Sequence, residues 1–383
     1  MSNFQKAYLV LFFLAIASGV HALDCLDSSG HSIAWWAKIK LPGNLHTAAH
    51  LYYDARDDSA KSQNFKAFSK SVDDAGTALY RTLDQLNSIP RSSVKILAFN
   101  DEFPSGKTFS GRAHAKGVVA YDPKTQTGFY LMHSTPKYPA IDNNKVNPKI
   151  PKTGLIYGQN YMCITIGANG LAAVLSSLSV SQPNVYYDNG KLTPKTANQN
   201  SIINAIPIRM NGQRIEHISK SPSYQEYLYS TIIGPHFGVN LAVESWSHPV
   251  EPPLCTGKYT CVNVNQVKYN NQITWNVGQD HSKWAVSVGS QRRVACFGDI
   301  NRAASQKKRG GGALCFDGNS NLYYALSNFI VQKDQCKNTN MRGTANVKRP
   351  TVSTHNTHTT HTNTGRGRFV DFIENFVDAI GQN

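Results

Sequence analysis

The chain has 383 residues, 40% of them hydrophobic, with 39 Lys and Arg against 24 Asp and Glu and a formal net charge of +15. That is enough apolar material for one large or two medium domains. Beyond the N-terminal segment no apolar run reaches spanning length, which excludes a helical protein of several membrane spans. The charge draws the protein to polyanions such as DNA, RNA, heparin-like glycans or anionic lipid, without choosing among them.

Residues 1–22 read as a secretory signal. Lys6 supplies the positive start, Tyr8 to Val20 is apolar, and Val20-His21-Ala22 offers small residues at a cleavage site. About 13 apolar residues are short for a membrane anchor. Phe65 to Leu86 has helix-like apolar spacing, and Leu171 to Leu178 reads as a short helix. Many β-rich runs are bounded by Gly, Pro and Asn, so the chain is mixed α/β. Two related halves are expected, 23–180 and 181–337. Residues 338–364 are rich in Thr, Asn and His and too polar to order themselves, and the spaced His355, His358 and His361 fit a polar tail better than a metal site. Phe369, Phe372, Ile373, Phe376, Val377 and Ile380 then mark an amphipathic helix, suited to docking on the body or on a partner. Its acidic polar face argues against anionic lipid. The tail as a whole spans 338–383.

Each half carries one His-x-Lys: His114-Ala115-Lys116, followed by Val118-Val119-Ala120-Tyr121, and His281-Ser282-Lys283, followed by Ala285-Val286-Ser287-Val288. The β-branched runs read as strands, and on a strand residues i and i+2 share a face. Each imidazole therefore projects beside an ammonium. Two such pairs facing each other suit phosphoryl transfer: one His attacks phosphorus, the other protonates the leaving oxygen, and the lysines neutralise charge. A lone His-x-Lys is a weak signal, because a surface His beside a surface Lys arises by chance. Attack is assigned to His114 and proton donation to His281. Trp284 invites a base-stacking role, but alternation puts it opposite His281 and Lys283, towards a core. Lys307-Lys308-Arg309, and Lys145, Lys149 and Lys152, are candidate phosphate-contacting clusters. Paired carboxylates for a divalent metal are not evident, so no metal or cofactor is expected. Seven cysteines in a secreted chain imply disulfides and one thiol left over, with the pairing open.

The flanking words sharpen this reading. Leu23-Asp24-Cys25 with Ser29-Gly30, Trp35 to Pro42, Leu131-Met132-His133-Ser134-Thr135-Pro136, Tyr157-Gly158-Gln159, Asp280-His281-Ser282-Lys283-Trp284, Cys296 to Arg302 and Arg309 to Cys315 resemble, in order, the deoxyribonuclease II family. The resemblance implies an α/β, phospholipase D-like pseudo-dimer: two mixed-sheet αβαβα halves with one active site at their junction. It implies an acid, divalent-metal-independent endonuclease that leaves 3′-phosphate ends through a phosphohistidine and degrades DNA from dying or ingested cells. His114 and His281 become the catalytic imidazoles, Lys116 and Lys283 phosphate clamps, and Asn301 a third phosphate contact. His133-Ser134 is the looser counterpart in the first half. The implied disulfides are Cys25–Cys163, Cys255–Cys336 and Cys296–Cys315, leaving Cys261; Cys261–Cys336 is the alternative.

Two positions depart from the family pattern. Ala115 replaces a Thr, at a position that parity turns away from the site. Gln279 stands where a Glu is common, with Asp280 retained beside it. The chain carries no Asn-x-Ser/Thr sequon, although lysosomal members usually carry N-glycans, so lysosomal delivery and plain secretion both stay open. Two other readings compete: a phospholipase D-like lipid phosphodiesterase, and an inactive secreted DNA-binding or toxin-like protein. Intact His and Lys in both motifs argue against the latter.

Overall fold

Runs of β-branched and aromatic residues build two large sheets. The computed structural model describes residues 22–43, 49–246, 251–270, 273–318 and 320–336. The expected signal segment, except Ala22, and the expected tail with its helix lie outside the described residues.

In the eight-stranded first sheet the spatial order is Val185–Asp188, Lys95–Phe99, Gly117–Asp122, Thr127–His133, Gln159–Gly167, Trp35–Lys40, His50–Asp54 and Lys66–Phe68. The nine-stranded second sheet runs Ser201–Pro207, Arg214–Lys220, Gly311–Asp317, Val294–Gly298, Trp284–Val288, Asn240–Glu244, Cys261–Tyr269 and Ile273–Asn276, with Ile330–Lys333 paired to Cys261–Tyr269. The expectation of two mixed sheets needs correction. Every pairing described in the first sheet is antiparallel. Hairpin-like connections, such as 123–126 between Gly117–Asp122 and Thr127–His133, join neighbours without the crossover that parallel strands need. Only the second sheet is mixed among the described residues, through the parallel pair Asn240–Glu244 and Cys261–Tyr269. Val185–Asp188 still belongs to the first sheet, so the chain changes sheets over 189–200, past the boundary expected after 180.

The inner faces share one apolar core. Trp35, Leu131 and Ile164 from the first sheet join Val286, Leu314 and Phe316 from the second. The rings of Trp35 and Phe316 lie 4.7 Å apart. Alternation along the second sheet sends Leu241, Val243, Ala285 and Ala313 to an outer cluster under the helical segments Leu228–Ile233 and Gly234–Phe237. Trp284 lies on the inner side, 6.3 Å from the Phe329 ring, as parity predicts.

Helices are few. Leu171 to Leu178 falls inside Ala168–Ser181, which packs on strands of both sheets. The Phe65–Leu86 helix is wrong over most of its length. Lys66–Phe68 is an edge strand, and the helix is only Ala78–Asp84. The missed signal is local punctuation. Ser71 N donates to Asp74, Gly76 takes φ +92°, and Thr77 caps the helix by accepting from Tyr80 N at 3.3 Å.

Three disulfides join Cys25 to Cys163, Cys255 to Cys336 and Cys296 to Cys315, the pairings the resemblance implies. Cys261 is a free, buried thiol at the start of its strand.

Asp58, at the helix Ala55–Ser59, also ties the halves. Its carboxylate accepts from Ser320 Oγ at 2.9 Å and Leu322 N at 3.1 Å, at the start of helix Leu322–Ser327. Asp58→Ala takes the acceptor from Ser320 Oγ and leaves Leu322 N only Ser320 Oγ at 3.3 Å, which costs about 1–3 kcal/mol. The expected outcome is a lower urea midpoint at unchanged slope; an unmoved midpoint would show that the tie carries no stability.

Candidate active site

The segment 113–116 enters strand Gly117–Asp122 from a loop that the second half holds in place. His114 N donates to Gly310 O at 2.9 Å, and His114 Nδ1 donates to Asp299 O at 2.6 Å. With Nδ1 holding that proton, Nε2 is the free nitrogen of the neutral ring, and it lies 3.7 Å from the Asp101 carboxylate. Asp101 also receives Lys116 Nζ, and Arg309 Nη2 at 3.0 Å. Arg309 further donates to the carbonyls of Phe109, Arg112 and Ala113. It thus fastens the chain just before His114 and is not a free surface cation.

His281 is held the same way by the first half. Its N–H donates to Gly158 O at 2.9 Å, and Gly158 N donates back to Gln279 O at 2.9 Å. Its ring stacks on Tyr157, centroids 4.2 Å apart and planes 13° apart, with the Trp246 ring 4.7 Å away. Among the described residues His281 Nε2 has no hydrogen-bond partner. Asp280 does not turn to His281: it accepts from Trp275 Nε1 at 2.7 Å and Ser282 N at 2.8 Å. The Gln279 side chain is exposed.

The wiring behind the two motifs repeats bond for bond. Lys116 Nζ donates to His114 O at 3.2 Å, and Lys283 Nζ to His281 O at 2.6 Å. His133 N reaches Lys116 O, as Gly298 N reaches Lys283 O. Ser134 N donates to Asn160 O and Asn160 N to Ser134 Oγ; Asp299 N donates to Gly312 O and Gly312 N to Asp299 Oδ1. Asn160 Oδ1 also accepts from Lys283 N at 2.9 Å, joining the two motifs directly. The clasp requires glycine on both sides. A β-carbon at Gly158 would overlap the Asp280 carboxylate, and one at Gly310 would overlap Ser181 O.

Lys116 and Lys283 are 3% and 2% exposed, so the site concentrates buried positive charge. Burial first, then Lys116, pushes Lys283 down to about 8. Burial, then Lys283, Lys116 and Lys40, pushes His281 down to about 3. Burial and Lys116 also pull His114 well below the usual imidazole range, with Asp101 opposing. Burial resists ionisation of Asp101, but Lys116, His114 and Arg309 outweigh it and hold the carboxyl below its ordinary value. Burial raises Asp299 to about 7 and lifts Glu244 well above the carboxylate range. The site therefore holds neutral imidazoles beside ammonium groups.

Of the residues expected from sequence, His114, Lys116, His281 and Lys283 converge at this seam. Asn301 is nearly buried and its Oδ1 has no partner among the described residues; no hydrogen bond ties it to either histidine. His133 is buried against the Tyr138 ring, and Ser134 serves the Asn160 link. Ala115 is buried in the shared core. Of the loop lysines, Lys149 pairs with Asp74 at 3.2 Å, and Lys307 lies over the Tyr227 ring. Asp101, Asn160 and Trp246 went unnoticed in the sequence. Gly158 and Gly310 were visible only as letters in longer words.

Residues 24–336 match the family model described as Deoxyribonuclease II. The chain is 28% identical to Cell-death-related nuclease 7 of Caenorhabditis elegans over 358 residues, covering 87% of this chain and 94% of that protein. It is 29% identical to Deoxyribonuclease-2-beta of Mus musculus, covering 87% and 98%. To Plancitoxin-1 of Acanthaster planci it is 26% identical, covering 82% and 93%. With the match running from the first disulfide cysteine's neighbour to the last cysteine, the chain belongs to the deoxyribonuclease II family.

Proposed function

We propose that this protein is an acid endodeoxyribonuclease that cleaves DNA without a divalent metal and leaves 3′-phosphate ends. One observation carries the reading: two His-x-Lys pairs, each held by the opposite half, meet at a buried cationic seam. DNA from dying or ingested cells is the substrate source that fits relatives named as cell-death nucleases. The repeated wiring supports a phospholipase D-like pseudo-dimer, as does a matching run of four strands: Lys95–Phe99, Gly117–Asp122, Thr127–His133 and Gln159–Gly167 on one side, Asn240–Glu244, Trp284–Val288, Val294–Gly298 and Gly311–Asp317 on the other. Its halves are 23–180 and 181–337, with the linking strand Val185–Asp188 lent to the first sheet. Three disulfides fit the secretory pathway, ending in lysosome or secretion. Among the described residues no helix is long and apolar enough to cross a membrane.

The two imidazoles sit in unlike surroundings, and this favours the reverse of the roles expected from sequence. His281, between Tyr157 and Trp246 with Nε2 unpartnered, suits attack. Its Nε2 forms the bond to phosphorus as the P–O5′ bond breaks. His114, with a carboxylate 3.7 Å from Nε2, suits holding the proton delivered to O5′. Water then cleaves the P–N bond, with His114 taking its proton, and the 3′-phosphate leaves. Lys116 and Lys283 stabilise the charge on the nonbridging oxygens, with Asn301 as a further phosphate contact. The DNA phosphate brings negative charge that offsets the lysines, so both rings become more basic in the complex than in the free enzyme.

His114→Ala and His281→Ala should each lower plasmid cleavage by about 100-fold or more, and the double variant should be hardly worse. DNA with sulfur at the bridging 5′ position has a leaving group that needs no proton, so it should rescue His114→Ala and not His281→Ala. Rescue of His281→Ala alone would restore the opposite assignment.

Asp101 raises the His114 pKa, and activity falls as pH rises through that pKa. Asp101→Asn should therefore move the alkaline limb of the pH–rate profile to lower pH. A limb left in place would remove Asp101 from proton transfer.

Cleavage at about pH 5, where imidazole protonation is natural, should persist in EDTA. An enzyme silent in EDTA and restored by Mg²⁺ would overturn the metal-free reading.

A further inference from the structure

A second buried cationic group lies on the first sheet, built from the adjacent strands Trp35–Lys40 and His50–Asp54. It borders a cavity of about 470 Å³ lined by Lys38, His50, Tyr52, Phe68, Ser69 and Lys70, among others. Lys38 is 1% exposed. Its Nζ donates to His50 Nε2 at 3.2 Å. His50 Nδ1 donates to Lys70 O at 3.1 Å, which fixes Nε2 as the acceptor. The His50 ring is stacked on Phe68, centroids 5.3 Å apart and planes 8° apart. Trp36 and Tyr52 flank the ammonium, their ring centroids 5.8 and 5.7 Å away.

No carboxylate among the described residues pairs with Lys38. Asp73 acts on it at a distance, but that carboxylate is engaged by Ser71 Oγ at 2.5 Å and Ile150 N at 2.8 Å. Asp54 accepts from Tyr52 and pairs with Arg56. Two of the three ammonium protons therefore lack an acceptor among the described residues, beside a cavity. A buried ammonium without a counter-charge is costly, and it either sheds its proton or takes an anion. Burial brings the Lys38 pKa down to about 7, so at mildly acidic pH the group carries its charge beside the cavity.

We propose that this cavity is a binding pocket for a small phosphomonoester. Lys38 Nζ receives the phosphate oxygens, Lys70 supplies a second positive charge at the rim, and Tyr52 and Phe68 form flat walls for an attached ring. Two cationic side chains match a phosphate group better than a carboxylate. The site is separate from the seam between the His-x-Lys pairs and shares no residue with it. Its argument does not depend on the cleavage chemistry, although a nuclease leaving 3′-phosphates would itself generate such ligands.

The test is calorimetric titration of the full chain at about pH 5.5, below the Lys38 pKa, with thymidine 3′-monophosphate, inorganic phosphate and acetate as separate probes. The nucleotide should show one site that survives Lys283→Ala and is lost in Lys38→Met, while Lys38→Met still cleaves plasmid DNA normally. Lys70→Ala, at an exposed position with little risk to folding, should weaken that site at least five-fold. Displacement of the nucleotide by inorganic phosphate alone would place recognition on the phosphate; no displacement would place it on the whole nucleotide. Both outcomes keep a phosphomonoester pocket. Acetate binding as tightly as phosphate would overturn the ligand class. Unchanged nucleotide binding in both Lys38→Met and Lys70→Ala would overturn the site.

Discussion

The exchanged backbone bond at the seam is the constraint on which the rest of this structure depends. His114 N–H is received by Gly310, and His281 N–H by Gly158, so each half positions the other half's imidazole. Everything nearby serves that exchange. Arg309 secures the chain before His114, and Asn160 locks Lys283 through its backbone. The shared core of Trp35 and Phe316 keeps the sheets in contact behind the site. A chain with only one half folded lacks the carbonyl that receives the N–H of His114 or of His281, so both rings are positioned only when the halves close.

Repetition of the wiring does not produce two equal histidines. The backbone geometry is matched bond for bond, but the side chains around it are not. One ring faces a carboxylate already gripped by Lys116 and Arg309. The other lies between aromatic rings. The repeated wiring supplies position, and unlike neighbours supply the chemical difference between the rings that the proposed two-step transfer needs.

What was legible in the sequence followed from short-range periodicity. The inward Trp284 follows from strand alternation, and the buried Ala115 from the same alternation carried back from Gly117, although His114–Lys116 and His281–Lys283 lie just ahead of the strands Gly117–Asp122 and Trp284–Val288 and not on them. The helix read over 65–86 failed because apolar spacing was allowed to override the Asp73-Asp74-Ala75-Gly76-Thr77 punctuation. The antiparallel first sheet was missed because strand direction depends on which strands become neighbours. Asp101 and Asn160 were illegible, and Arg309 was read as a phosphate-contacting cation, for a related reason. Their partners lie far away in sequence, and no local pattern announces a bond such as Arg309 to Asp101. In the sequence Lys38 is one letter of the Trp35-to-Pro42 word, and only burial without a carboxylate sets it apart.

The carboxylate of Asp101 gives the site an internal counter-ion. Lys116 is never bare, so an arriving anion must displace a tethered one whose local concentration is high. A chloride or a solitary sulfate gains little from that exchange. A phosphodiester within a polyanion brings neighbouring charges along the basic surface and can win it. Under the proposed function, discrimination between long anionic chains and the small ions of the medium begins with a negative charge built into a positive site.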